Sequence, residues 1–212
     1  MCNILKVRWT IIPQTPPQPW IACAACGSFK PFRSSGKIRL NANGRRLDAW
    51  LVYKCSTCDR TWNRTIFERQ TVSDLTPATL DALQSNDPAW IRVQEFDLDA
   101  LRRRAQRIDE FADAVIRKTV LGAADDWTAL QIELVAPFPP SLRLDRLLAS
   151  ELEISRSRLQ ALAEKGALRV HPARADAMRR KIRSGSVVVI DLSDEPERHQ
   201  IGSAAITNRD TG

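Results

Sequence analysis

The sequence predicts an α+β fold in three parts: an N-terminal four-cysteine β-sheet, a mainly helical acidic middle and a C-terminal αα-β module. Three observations carry this. Two C-x2-C pairs bracket alternating segments joined at Asn-Gly. Apolar residues of the middle recur at three- and four-residue steps, as on one face of a helix. Two short leucine-faced stretches are then followed by strand-like alternation. The parts are expected at residues 1–72, 73–137 and 141–192, with 193–212 a polar tail expected to be disordered. The chain has 212 residues and is 43% hydrophobic, enough for several small cores. No stretch approaches the ~20 apolar residues of a membrane span. The N-terminus has no continuous apolar core of signal type, so a cytoplasmic protein is expected.

The first part rests on "CAAC" (Cys23, Cys26) and "CSTC" (Cys55, Cys58), with 28 residues between the pairs. Each pair places two sulfurs on one tight knuckle, and two knuckles complete a tetrahedral site with Zn–S of about 2.3 Å. Between them "KIRLNA" (37–42) and "RLDAWLVYK" (46–54) alternate as strands about Asn43-Gly44-Arg45, a hairpin signal. "RTWNRTIFE" supplies a third strand. The arrangement resembles a zinc ribbon holding one structural Zn2+, because four thiolates close the coordination shell and leave no place for water. Iron in a rubredoxin-like site uses the same spacing. Disulfides are the remaining alternative, against which the lack of a secretion signal argues. Cys2 has no partner in sequence and is expected to be a bystander.

Net charge is +7, with a pI near 9.5, which favours a polyanionic partner. It is segregated: +9 over residues 1–70, −5 over 71–140, +5 over 141–192 and −2 over the last twenty. Near the knuckles, Lys30, Lys54 and Arg60 offset thiolate charge. Arg33, Lys37, Arg39, Arg45 and Arg46 exceed that need. They read either as a solvated strand face or as a basic sheet face for nucleic-acid phosphate, with Trp50, Tyr53 or Trp62 as stacking platforms.

In the middle, Thr76 caps a helix that begins at Pro77. Asp97 caps a second, predicted to run through Leu98, Leu101, Ala105, Ile108, Ala112, Val115 and Ile116. Its arginines, Arg102, Arg103, Arg104 and Arg107, alternate with acids and read as a salt-bridged solvent face, with pairs such as Asp99–Arg103. Gly122 ends the pattern, residues 127–136 alternate as a strand, and "PFPPS" forms a stiff linker.

The C-terminal module begins with "SLRLDRLLASEL", which puts Leu144, Leu147, Leu148 and Leu152 on one side. Ser155 then caps a second helix that buries Leu159, Leu162 and Ala163, and Gly166 follows at the position that favours φ > 0. Strands "ALRVH" and "VVVIDL" flank a turn-rich crossover. Arginines at 156 and 158 occupy the positive end of the second helix's dipole, where acids are normally favoured. Arg156 and Gln160 lie on one flank, Arg158 and Lys165 on the other, without an acidic i,i+4 partner. This combination suits a phosphate, which helix N–H groups and guanidinium forks would bind together.

"RLDRLLASELEISRSRLQALAEKGALRV…KIRSGSVVVI" resembles the RNA-binding domain of the fourth ribosomal small-subunit protein, shared with pseudouridine synthases, tyrosyl-tRNA synthetases and a ribosome-rescue heat-shock protein. Arg143, Leu144 and Asp145 match its opening Arg-Leu-Asp, Ser155 and Arg156 its Ser-Arg, and Gly166 its closing glycine. Gly185-Ser186 stands where that family has Gly-Asp, and His171-Pro172 where it has Asn-Gly. The resemblance implies RNA contacts at Arg143, Arg156, Gln160 and Lys165. Arg158 and the basic run Arg179, Arg180, Lys181 and Arg183 extend that set. The order of parts over nearly the whole chain resembles an uncharacterised bacterial family catalogued as domain of unknown function 1062, which implies no activity.

No catalytic residue is assigned. His171 and His199 are the only near-neutral bases, and no Gly-rich phosphate loop, H-E-x-x-H or G-x-S-x-G occurs. The expectation is a non-enzymatic RNA-binding protein that contacts ribosomal or transfer RNA, with the ribosome as a candidate partner and no membrane. A protein-interaction adaptor and a DNA-binding protein are the alternatives.

Overall fold

The computed structural model describes residues 3–124, 126–174 and 176–209. Cys2 lies outside them. The fold is mixed α+β, with two five-stranded sheets in two compact units. One unit is Pro16–Glu110; the other is made by the chain before Pro16 and after Glu110. In chain order, β1 (Ile4–Pro13) belongs to the flanking unit. The inserted unit carries β2 (Gln18–Cys23), β3 (Ser28–Asn43), β4 (Arg46–Cys55), β5 (Thr61–Thr71), α1 (Pro77–Ser85), α2 (Pro88–Glu95), α3 (Leu98–Arg102) and β6 (Ile108–Asp109). The flanking unit resumes with β7 (Ala114–Gly122), β8 (Ala129–Val135), α4 (Leu144–Leu152), α5 (Arg156–Glu164), β9 (Leu168–His171), β10 (Ser186–Asp191) and α6 (Arg198–Ile206). No helix among the described residues is long and apolar enough to cross a membrane.

The inserted sheet has order β5-β4-β3-β2-β6. Asn43 pairs with Arg46 around Gly44 at φ +59°, as the Asn-Gly signal predicts. Strand alternation buries Leu47, Ala49, Leu51 and Tyr53 on one face of β4. Thr76 and Asp87 accept the N–H groups of Thr79 and Trp90, capping α1 and α2, and Asp97 accepts that of Ala100 to cap α3. Helix α3 then ends at Arg102, so the long helix expected from Leu98 to Ile116 does not form. Ile108 belongs to β6, and Val115 and Ile116 lie in β7. The β-branched residues of "AVIRKTV" favour a strand, and three- and four-residue apolar steps mimicked a helix across a loop. The Asp99 salt bridge is made with Arg102, at 2.9 Å, rather than Arg103.

In the flanking unit the order is β7-β1-β8-β10-β9. β1 pairs in parallel with β8, and Val7, Trp9 and Ile11 are wholly buried. The first strand is therefore not part of the four-cysteine sheet, as a boundary at residue 1 supposed. Ser155 caps α5 by accepting the Arg158 N–H, and Gly166 takes φ +74°. The tail expected to be disordered carries α6. Its Ile201, Gly202 and Ala205 are buried, and the Trp9 indole Nε1 donates to the Ala205 carbonyl at 2.9 Å. Gly202 makes room for Trp127: a Cβ there would stand 2.3 Å from the Trp127 ring. Two apolar side chains and one glycine seat the helix, too few to mark the tail as apolar. Beneath it Lys118 Nζ reaches Glu151 at 2.8 Å in a buried ion pair and donates to the Ala204 carbonyl at 2.8 Å.

Candidate metal centre and nucleic-acid interface

Cys23 ends β2 and Cys55 ends β4, and a tight turn follows each. Gly27 N–H donates to the Cys23 carbonyl at 2.9 Å, and Asp59 N–H to the Cys55 carbonyl at 3.0 Å. Both donors sit in the left-handed region, Gly27 at φ +66° and Asp59 at +57°. These matching turns bring Cys26 and Cys58 back over their partners. All four Sγ atoms lie within 4.8 Å of one another, with Cys23–Cys58 at 3.5 Å and Cys26–Cys55 at 4.0 Å. Those spacings far exceed a disulfide's ~2.05 Å. They bracket the ~3.8 Å edge of a tetrahedron with metal–sulfur bonds of about 2.3 Å. The four cysteines are thus free thiols placed to hold one four-coordinate metal ion. Burial resists the Cys55 thiolate, yet the N–H groups of Thr57 and Cys58 outweigh it and bring its pKa down to about 7. Cys26 is pushed up to about 12 by the hydrogen bond with Cys58, with burial adding to it.

The flanking unit has a separate groove of about 940 Å³ between α5, β9 and residues 173–174 and 176–179. It brings together four residues singled out from sequence: Arg143, Arg156, Gln160 and Arg179. Arg169 and Arg174, not singled out, line it too, above Ala163, Leu168, Val170 and Met178. Only the reversal of the chain after Gly166 reveals them. His171 also lines the groove, whereas His199 packs edge-on to Trp127 at 5.9 Å. Arg180, Lys181 and Arg183 surround a neighbouring cavity of about 230 Å³. Arg158 and Lys165 line neither.

Several of these groups have partners within the protein. Arg143 forks onto Asp145 at 3.0 and 2.7 Å. Gln160 donates to Glu164 at 2.9 Å, so an acidic i,i+4 partner exists after all. Arg158 is held between Glu197 and Glu195, whose hydrogen bonds raise its pKa further. These acids stand 37 and 39 residues away in sequence, beyond any helix-local pairing rule. Arg156, Lys165 and Arg179 are exposed and have no ion pair with a carboxylate among the described residues. In the inserted unit, Tyr53 is wholly buried and Trp62 packs on Tyr53 and Phe32. Both are core, which leaves Trp50 as the remaining candidate platform.

Comparison with known proteins yields one family, described as "Protein of unknown function (DUF1062)", matching residues 40–174. That span holds the second cysteine pair and most of the groove's helical wall, but neither Cys23 and Cys26 nor the basic run after Arg174. No curated protein and no solved structure matches the chain.

Proposed function

The chain belongs to this family, whose description names no activity, and from its own residues we propose a non-enzymatic RNA-binding protein that recognises structured ribosomal or transfer RNA. The observation that carries this reading is the groove on α5, whose lining holds Arg143, Arg156, Arg169, Arg174 and Arg179 against Asp145, Glu164 and Asp176. The sequence resemblance of "RLDRLLASELEISRSRLQALAEKGALRV" to the ribosomal RNA-binding domain supports it. Recognition proceeds through phosphate contacts and the shape of the folded RNA. The four cysteines hold a structural Zn2+, and the sheet they pin is a second contact.

With Arg143 engaged by Asp145 and Arg169 by the Gly166 carbonyl, about three groove arginines are available to phosphate, so log K should fall against log salt with a slope of about −2 to −2.7. Anisotropy of a labelled RNA hairpin across a salt series measures it. Arg156→Ala with Arg179→Ala should weaken binding at low salt and flatten the slope while leaving the melting temperature unchanged. Salt-independent binding, or a double variant that binds as the parent does, overturns the reading.

A further inference from the structure

The open face of the inserted sheet sets a tryptophan among cations. Because β4 alternates, burying Leu47, Ala49, Leu51 and Tyr53 turns Trp50, Val52 and Lys54 to the other side. The register sets their neighbours. Trp50 stands opposite Arg39 on β3 and Thr65 on β5; Val52 lies between Lys37 and Asn63; Lys54 lies between Arg33 and Thr61. Lys37, Arg39 and Lys54 are exposed, Trp50 is half-buried, and Trp50 belongs to none of the apolar clusters. The nearest acids are already engaged. Asp59 pairs with Arg33 at 3.0 Å, Glu68 accepts from the Thr65 hydroxyl at 3.2 Å, and Asp48 accepts the Arg69 N–H at 2.6 Å.

A large aromatic side chain on a pleated surface, in a row of cations with hydroxyl and amide side chains around it, matches unpaired nucleotides. A base stacks on the indole, and flanking cations take the phosphates on either side. A duplex offers no free base face to such a platform, and its phosphates alone would not require the tryptophan. We infer that the β3–β4–β5 face is a binding site for single-stranded RNA, with Trp50 as the stacking platform and Lys37, Arg39 and Lys54 as phosphate contacts. The inference depends on the RNA-binding reading for the kind of polymer, but the site is separate from the groove on α5.

The test uses the full-length, metal-loaded protein with two labelled probes: a short oligouridylate and a base-paired hairpin. Trp50→Ala should weaken oligouridylate binding by roughly tenfold or more, with hairpin binding unchanged. Trp50→Phe should recover part of the loss, which also guards against a folding defect in the alanine variant. Arg39→Gln should flatten the oligouridylate salt slope by about 0.7. Arg156→Ala should do the reverse, affecting the hairpin alone. Hairpin binding without oligouridylate binding overturns the single-strand site and leaves the groove reading standing. Failure to bind either probe overturns both. A partner protein that survives nuclease treatment and is lost with Trp50→Ala would assign the face to protein and also overturn the inference.

Discussion

The two units are built on different principles. The flanking unit has one continuous apolar core of 21 buried residues, running from Leu5 through α4 and α5 to Ala205. The inserted unit divides its buried residues into a cluster of seven around Tyr53, two of them metal-placed cysteines, and a cluster of three around Leu83. Small separate clusters supply little stability per residue, and cross-linking by disulfides or a metal ordinarily compensates. Four thiols on two knuckles are placed to supply such a cross-link here. Among the described residues the flanking unit contains no equivalent cluster.

Removing the metal makes the largest break in this contrast. If the four thiols hold the proposed zinc, chelation, or Cys55→Ser, should unfold the inserted unit, since a structural zinc contributes on the order of 10 kcal/mol. Calorimetry should then retain one transition, from the flanking core. Loss of both transitions, or of neither, would erase the distinction. Loading should also depend on pH. The Cys55 pKa is lowered from 9.0 to about 7, so its thiolate is present above that value and lost as pH falls through it. Metal affinity should weaken accordingly below about pH 7, and loading at higher pH should release protons from Cys26, because ligands must be deprotonated. Competition with a chromogenic chelator across pH measures this.

Next in size is Glu151→Ala, which strands the Lys118 ammonium among Trp9 and α6. It should destabilise the flanking unit by about 3–5 kcal/mol in denaturant melts, with the metal site unaffected. Gly202→Ala forces a methyl group against Trp127 and should cost about 1–3 kcal/mol in the same assay. The smallest change is Glu195→Gln with Glu197→Gln. It removes both ion pairs of Arg158 and should cost the flanking unit about 1 kcal/mol or less, with the hairpin salt slope unchanged because Arg158 lies outside the groove.

Legibility in sequence followed locality. The hairpin turn of β3 and β4, the caps at Thr76, Asp97 and Ser155 and the glycine at 166 depend on residues a few positions apart, and each forms as read; each C-x2-C pair is equally local, and the hairpin between them brings the two pairs together. What failed depends on distant packing. β1 finds its parallel partner more than a hundred residues on, β7 was masked by a helical coincidence, and α6 is held by Trp9 and Trp127. The groove was half legible for the same reason. Its α5 wall is a helix face, but Arg169 and Arg174 reach it only through the turn after Gly166, and the acids that hold Arg158 come from the tail.

The insertion point has a consequence for synthesis. Gln14 N–H donates to the Asp113 carbonyl at 3.0 Å, so the chain leaves the flanking unit and re-enters it at nearly one spot. During translation β1 emerges first, yet its partners β7 and β8 follow only after Pro16–Glu110 has been made. All strands of the inserted unit are therefore made before the flanking sheet can close, and a strand bearing Val7, Trp9 and Ile11 waits without its partners through that interval.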